Sequence, residues 1–258
     1  MKLGITIPVF LTVEPLLRLT RECVGRLRTQ TDAHVWVVTT RLHVCSPEEL
    51  QDQLQAACPL PLTVVHTPNL ARSVANAWNT GCAAALAWGS DRLCIMANDA
   101  LLEPECLDTL LATDMPTVDL WSGIDVRNPG AANREAVDDG ADFTCFMLRP
   151  TTLERYGTFD EYFRPAYFED NDYYARVVLG GGHCRVIHAA RFYHHGSMTS
   201  RSDPDAAHHV QHWYGRNQAR FVAKWGSMPA GNEEGVLGQY HKHPWNDISK
   251  PLTWWEHD

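Results

Sequence analysis

Apolar residues along the first hundred positions fall in short blocks, and the blocks alternate between two repeats. Residues 3–9 set Ile5, Ile7 and Val9 two apart, the repeat of a strand, and Pro8 is expected to end it. Pro15 then opens a stretch in which Leu16, Leu19, Cys23, Val24 and Leu27 recur at helical spacing. Residues 34–38, HVWVV, read as a second buried strand. Ser46-Pro47-Glu48-Glu49 reads as a helix start: the serine caps free backbone N–H groups, proline fits the first turn, and the acids suit the positive helix end. A third strand at 62–66, an alanine-rich helix at 71–88 and a fourth strand at 92–96 complete the series. Such alternation predicts a parallel sheet covered by helices, with ligands at the carboxyl ends of the strands.

After residue 115 the rhythm changes. Strands are expected at 118–124 and 142–148, separated by a Gly/Asn/Asp-rich loop at 128–140. A helix follows at 170–179, a strand at 184–187 and a long helix at 204–225. The last segment, 226–258, carries five Gly or Pro in its first thirteen residues but keeps Tyr240, Trp245, Trp254 and Trp255. Those aromatics predict an arm, residues 227–258, wrapped onto a domain formed by residues 1–226. The fold class is therefore α/β: a three-layer, Rossmann-like mixed sheet flanked by helices, with a C-terminal arm.

Composition narrows the function. The chain has 258 residues, 45% of them apolar, enough for a full core. Its net charge of −9 argues against non-specific nucleic-acid binding. No apolar run approaches the ~18 residues of a membrane-spanning helix, and the first ten residues lack a secretory pattern. Eight cysteines stand singly with no Cys-x-x-Cys pair, the usage of a reduced, cytoplasmic protein rather than a zinc ribbon. Charge is uneven: residues 89–175 hold 18 acids against 6 Lys/Arg, and residues 176–224 hold 7 Lys/Arg, 2 acids and 7 histidines. An acidic stretch before a basic one could build a site for a metal and an anion, or simply a patchy solvated surface.

Three constellations could carry chemistry. Asn98-Asp99 follows the fourth strand, where a carboxylate can share a divalent cation with a diphosphate, though such a pair also simply ends strands. Residues 159–163 (FDEYF) and 167–172 (YFEDND) put acids among aromatics, where a carboxyl loses solvation and can act as a general base. The same acids also suit a helix N-terminus. His194-His195-Gly196-Ser197 suits a metal ligand and an anion-binding backbone, or a surface pair in a histidine-rich chain.

The order of these motifs, with Asn79-Thr80-Gly81 before them and residues 221–226 (FVAKWG) after, resembles the family 2 glycosyltransferases over residues 3–226. That family comprises inverting, nucleotide-sugar-dependent enzymes with one A-type nucleotide-binding domain, and the rhamnosyltransferase-like branch is the most similar. The resemblance implies a nucleotide-binding half at 1–115 and an acceptor-binding half at 116–226. It implies that Pro8 and Val9 border the nucleotide, that Asn79 and Asn98 belong to its site, and that Asp99 binds Mn²⁺ or Mg²⁺ with His194, or less favourably His195, nearby. Glu169-Asp170 matches the family's catalytic pair, with Asp170 as base, and Arg201 would meet the diphosphate. The sequence departs from the pattern in three places. The second strand ends Val38-Thr39-Thr40-Arg41 without the usual acid, so Thr39 would face the base and preference for uracil would weaken. Trp78 replaces an arginine, and Ala97 a first metal-binding acid.

The donor would be a nucleotide-diphosphate sugar. The acceptor, a hydroxyl on a glycan, protein, lipid carrier or modified nucleobase, stays open, as does the oligomeric state. Two alternatives remain. A sugar-nucleotide nucleotidyltransferase would need a Gly-rich, Lys/Arg-bearing loop after the first strand, where this chain has PVFLTVEP. An inactive glycan-binding or scaffold relative would fit the shortened metal motif but not the retained Glu-Asp pair.

Overall fold

A computed structural model describes residues 1–68, 73–113 and 115–226, without the side chain of Ser200. The expected arm at 227–258 lies outside the described residues. In chain order the elements are β1 (Lys2–Leu11), α1 (Glu14–Gly25), β2 (Asp32–Leu42), α2 (Pro47–Ala57), β3 (Leu62–His66), α3 (Val74–Ala87), β4 (Arg92–Met96), β5 (Ala100–Leu102) and α4 (Cys106–Ala112). There follow β6 (Leu120–Asp125), a 3-10 turn (Pro129–Ala132), β7 (Val137–Asp139), β8 (Cys145–Leu148), α5 (Pro150–Tyr156), α6 (Glu169–Leu179), β9 (Cys184–His194), α7 (Met198–Ser202) and α8 (Pro204–Trp225). The strands form one mixed sheet in the order β3-β2-β1-β4-β8-β6-β9-β5, with β7 added on β9.

The first four long strands are parallel, as the alternating pattern implies. Ser46 caps α2 in a reciprocal pair with Glu49, and Pro47 takes the first turn. Helices cover both faces. Leu16, Leu17, Cys23 and Val24 of α1 and Leu50 and Leu54 of α2 pack with α4 on one side of the sheet. Trp78, Cys82 and Ala85 of α3, with Tyr173 and Val177 of α6, pack on the other. A Cβ on Gly81 would come within 2.2 Å of the Thr6 side chain, so this glycine lets α3 lie directly on β1. All eight thiols are unpaired and all but Cys45 are buried. Among the described residues no helix is long and apolar enough to cross a membrane.

Several boundaries differ from the pattern-based expectation. Pro8 does not end β1. β4 pairs β1 only from Leu3 to Thr6, whereas β2 follows it to Leu11, so at Pro8 the strand has a neighbour on one side only, where proline is tolerated. β9 continues past Ile187 to His194. The polar His188 does not break it, because Nδ1 meets the Gly130 carbonyl and Nε2 meets Asp138, each at 2.9 Å. β8 begins at Cys145 rather than Asp142, whose carboxylate accepts the Thr144 N–H at 2.9 Å and turns the chain first.

A charge network buried behind the sheet fixes α6 and α8 together. Lys224 of α8 donates to Asp160 at 2.8 Å and lies 2.6 Å from Asp172 of α6. Arg176 holds the other Asp172 oxygen at 3.0 Å and donates to the Tyr156 and Thr158 carbonyls at 2.8 Å each. The Trp225 indole N–H also donates to Asp172, at 2.9 Å. Burial alone would raise the Asp172 carboxyl, but Lys224 and Arg176 outweigh it and hold it below the usual range. For Asp160 burial wins over Lys224, and the carboxyl is raised. Phe163, Phe168, Ala175, Phe221 and Trp225 close the network off from water.

Removing one member of a buried ion pair strands its partner in low dielectric, at a cost of about 3–5 kcal/mol. Lys224→Met is therefore expected to lower the free energy of unfolding in urea by about that much. Adding Asp160→Asn should recover part of the loss, because it removes one of the two stranded charges.

Candidate active site

β4, β6 and β9 run in one direction, since β8 lies antiparallel to both β4 and β6, and β6 is parallel to β9. Their carboxyl ends deliver Asp99, Asp125 and His194 to one edge of the sheet. His194 Nε2 donates to Asp99 Oδ1 at 3.1 Å, and its Nδ1 lies 3.3 Å from the Thr144 hydroxyl. The other Asp99 oxygen accepts the Met198 N–H at 3.4 Å, and the Asp99 carbonyl accepts the His195 N–H at 3.0 Å. Burial acts against both charges. The hydrogen bond overrides it, holding the Asp99 carboxyl below and the His194 imidazole above their ordinary ranges. Gly196 and Ser197 follow in left-handed conformation, at φ 78° and 53°, and the Arg127 guanidinium lies over Gly196. Asp125 accepts two bonds from Arg127, at 2.8 and 2.6 Å.

Asp99 and His194 offer one carboxylate and one imidazole. Among the described residues no group of three or more His, Cys, Asp or Glu converges as a metal site. Such a donor pair fits a divalent cation whose remaining positions come from phosphate oxygens and water, not one caged by protein alone. His195 does not complete a third ligand. Its ring packs edge-on against Tyr193 at 5.0 Å, and its buried Nε2 has no hydrogen-bond partner.

The second part of the site is the loop that enters α6. Helix α3 grips it from one side. Asn79 donates to the Phe159 carbonyl at 2.9 Å and to Glu161 at 2.8 Å, and accepts the Phe159 N–H at 2.9 Å. Asn76 adds a bond to Glu161 at 2.8 Å. Helix α8 grips it from the other side. The Asn217 amide donates to the carbonyls of Arg164, Ala166 and Tyr167 at 2.9–3.3 Å, and Arg220 donates to the Tyr162 carbonyl at 2.6 Å. Held this way, Tyr167 and Phe168 take left-handed conformations, φ 75° and 76°, costly for non-glycine residues. They turn the chain into α6, where Glu169, Asp170 and Asp172 stand in the first turn.

The three acids differ. Asp172 is spent on the buried network. Glu169 is 5% exposed, and its Oε2 has no partner. Burial and the neighbouring Asp170 charge push its carboxyl well up. Asp170 alone keeps some surface, with one oxygen accepting the Asn171 N–H at 2.8 Å. Burial raises its carboxyl, backbone N–H groups partly offset this, and the charge of Asp142 adds to the rise. The Asp142 charge acts in the same sense on His194.

Some expected nucleotide contacts have other employment. Thr39 is 0% exposed and donates to the Arg41 carbonyl at 3.0 Å, so it has no surface for a base. The weaker uracil preference reasoned from it loses its premise. Asn79 spends both amide hydrogens on the 159–161 loop and positions that loop instead. Asn98 donates to Thr20 of α1 at 2.9 Å. Val9 is 6% exposed, Pro8 beside it is partly exposed, and Arg201 is exposed on α7. Sequence reasoning missed Asp142 and Asn217, and it noted Lys224 only as part of the 221–226 motif without its buried partners. Only Asp142 left a local signal, an acid two residues before Thr144 at a strand entrance.

No protein-family model matches the chain, and no curated protein matches its sequence. Solved structures do match. The mannosyltransferase PcManGT from Pyrobaculum calidifontis, in complex with GDP-Man and Mn²⁺, superposes with a TM-score of 0.62 at 17% identity, covering 95% of this chain and 71% of that one. TarS 1-349 from S. aureus gives 0.61 at 13% identity, over 93% and 71% of the two chains. Its complex with UDP-GlcNAc gives 0.57 at 16%, over 75% and 58%. At such identities the likeness is one of fold: the central mixed sheet flanked by helices is the architecture of A-type glycosyltransferases.

Proposed function

We propose that the protein is an inverting glycosyltransferase that moves a sugar from a nucleotide-diphosphate donor to an acceptor hydroxyl. The observation that carries this reading is Asp170: a carboxyl raised by burial, in the one acidic residue of its turn that is not wholly buried, on the fold of nucleotide-sugar transferases. Asp170 takes the acceptor proton as the hydroxyl oxygen bonds to the anomeric carbon and the bond from that carbon to the diphosphate oxygen breaks. One displacement, from the face opposite the leaving group, inverts the centre. Residues 1–115 hold the nucleotide, with Pro8 the more open of the two β1 residues, and residues 116–226 hold the acceptor.

Asp99 and His194 would hold a Mn²⁺ or Mg²⁺, which supplies positive charge against the departing diphosphate. Arg201, exposed on α7, would meet the same phosphates. Asn76, Asn79, Asn217 and Arg220 keep Asp170 in position by fixing the loop before it. The rhamnosyltransferase-like branch rests on the sequence motifs, and a cytoplasmic location on the unpaired cysteines. The sugar-nucleotide nucleotidyltransferase has less support, since β1 runs on through the segment where its Gly-rich loop would lie.

Asp170→Asn keeps shape but cannot accept the proton, so turnover should fall by roughly 10²–10⁴ while affinity for the nucleoside diphosphate persists. Glu169→Gln should cost much less turnover; the opposite ranking would move the base by one residue. The acid limb of the kcat/KM profile should sit above the ordinary aspartate range, because a base with a raised pKa is lost to protonation at higher pH. For the metal, calorimetry of UDP and GDP should show tighter binding with Mn²⁺, and Asp99→Ala should remove the difference. Equal affinity in EDTA would end the metal role.

A further inference from the structure

A fixed cation stands at the sheet edge beside the Asp99–His194 pair. Arg127 follows β6, and one carboxylate holds both its backbone and its side chain. Asp125 accepts the Arg127 N–H at 3.0 Å through Oδ1, and accepts Nε and Nη2 at 2.8 and 2.6 Å through Oδ2. Asp125 is itself tied to β9. It stands opposite Phe192 in the ladder and also accepts the His194 backbone N–H. The Arg127 guanidinium carbon lies 5.5 Å from the centre of the Tyr193 ring, a second support from β9. Held by both, the guanidinium has little rotamer freedom left to lose, yet the side chain stays 47% exposed.

The contacts place this guanidinium at the candidate site. A Cβ on Gly196, two residues beyond His194, would stand 3.7 and 3.8 Å from Nη2 and Nη1. The Asp99 carboxylate attracts the Arg127 charge, and Arg127 and a protonated His194 repel as like charges. Two groups able to carry positive charge are therefore held side by side where β6 and β9 end. An exposed ion pair such as Arg127–Asp125 adds little to stability, so the fold itself gains little from the arrangement. An anion at this edge would gain from it, because the bonds to Asp125 use Nε and Nη2 and Nη1 takes no part in them.

We infer that Arg127 binds the diphosphate of the nucleotide donor and offsets the charge that gathers on it as the sugar leaves. This deepens the glycosyltransferase reading and rests on it. When the bond from the anomeric carbon to the diphosphate oxygen breaks, its electron pair stays on that oxygen. A guanidinium offers N–H donors in a fixed plane that matches phosphate oxygens. One that is already anchored meets the developing charge without reorganising. Asp125 acts behind it as a positioning residue, setting the direction of the guanidinium. The contribution of Arg127 comes from the protein itself, so it persists when no cation is bound.

The test is calorimetry on the full chain with pyrophosphate in EDTA, and with UDP and GDP in EDTA and in Mn²⁺. Arg127→Gln keeps a donor for Asp125 but loses the charge. It should weaken pyrophosphate and the better-bound nucleotide by roughly ten-fold or more, with metal and without. Arg127→Lys keeps the charge without the planar fork and should recover only part of the loss. Arg26→Gln removes an exposed arginine paired with Glu22 on α1 and should change nothing. Unchanged affinities in Arg127→Gln, an equal loss in Arg26→Gln, or no binding of any of the three by the wild type would overturn the inference. If UDP or GDP still bound in a Mn²⁺-dependent way to an unaffected Arg127→Gln, the transfer reading would stand without it. Pyrophosphate binding that is lost in Arg127→Gln, with neither nucleotide bound by the wild type, would support the anion site and sink the transfer reading instead.

Discussion

The buried ammonium of Lys224 decides where the site can be. It sits between Asp160 and Asp172, at 2.8 and 2.6 Å, where water cannot repay the cost of holding charge. An isolated charge there would be several kcal/mol out of balance, so the three elements must arrive together: α8 with the lysine, the loop with Asp160, α6 with Asp172. Arg176 extends the requirement to the end of α5 through the Tyr156 carbonyl. Once this network closes, the first turn of α6 has one orientation. Asp172 is buried, Glu169 is sealed at 5% exposure, and Asp170 alone of the three keeps part of its surface. The selection of one acid among three follows from the placing of one lysine.

The sheet supplies the other fixed frame. Parallel β4, β6 and β9 end together, so Asp99, Asp125 and His194 share one edge without needing a long loop to carry them. Gly81 lets α3 lie on β1, and α3 in turn grips the 159–161 loop through Asn76 and Asn79. The Asp142 charge bears on both frames, raising His194 and Asp170 alike. The proposed division of labour uses both: phosphate charge is met at the sheet edge, and the acceptor proton is taken at the helix start.

The sequence made the sheet legible where period and capping agree. Ile5, Ile7 and Val9, the Ser46–Glu49 pair and the whole of α8 stand where their patterns place them. It obscured elements whose support comes from elsewhere. β9 hides behind His188 and Arg191, polar residues satisfied by the 3-10 turn and its neighbours. β5 and β7 have three residues each, too few to show a repeat. In the site, the acids of 168–172 and the Asn98-Asp99 strand end could be read as chemistry because they are local clusters. The internal partners of Thr39 and Asn79 were not legible, because a motif position does not reveal which partner a side chain finds. The partners of Lys224 and Asn217 were illegible for the same reason: they lie on segments fifty or more residues away.

The central claim is one displacement at the anomeric carbon, assisted by Asp170. The configuration of the first product reports on it directly. ¹H NMR of a turnover mixture, recorded before the released or transferred sugar can mutarotate, distinguishes the anomers by their H1–H2 coupling. The account predicts a product of configuration opposite to the donor's, formed by the wild type and strongly reduced in Asp170→Asn. A first product that retains the donor's configuration would contradict it.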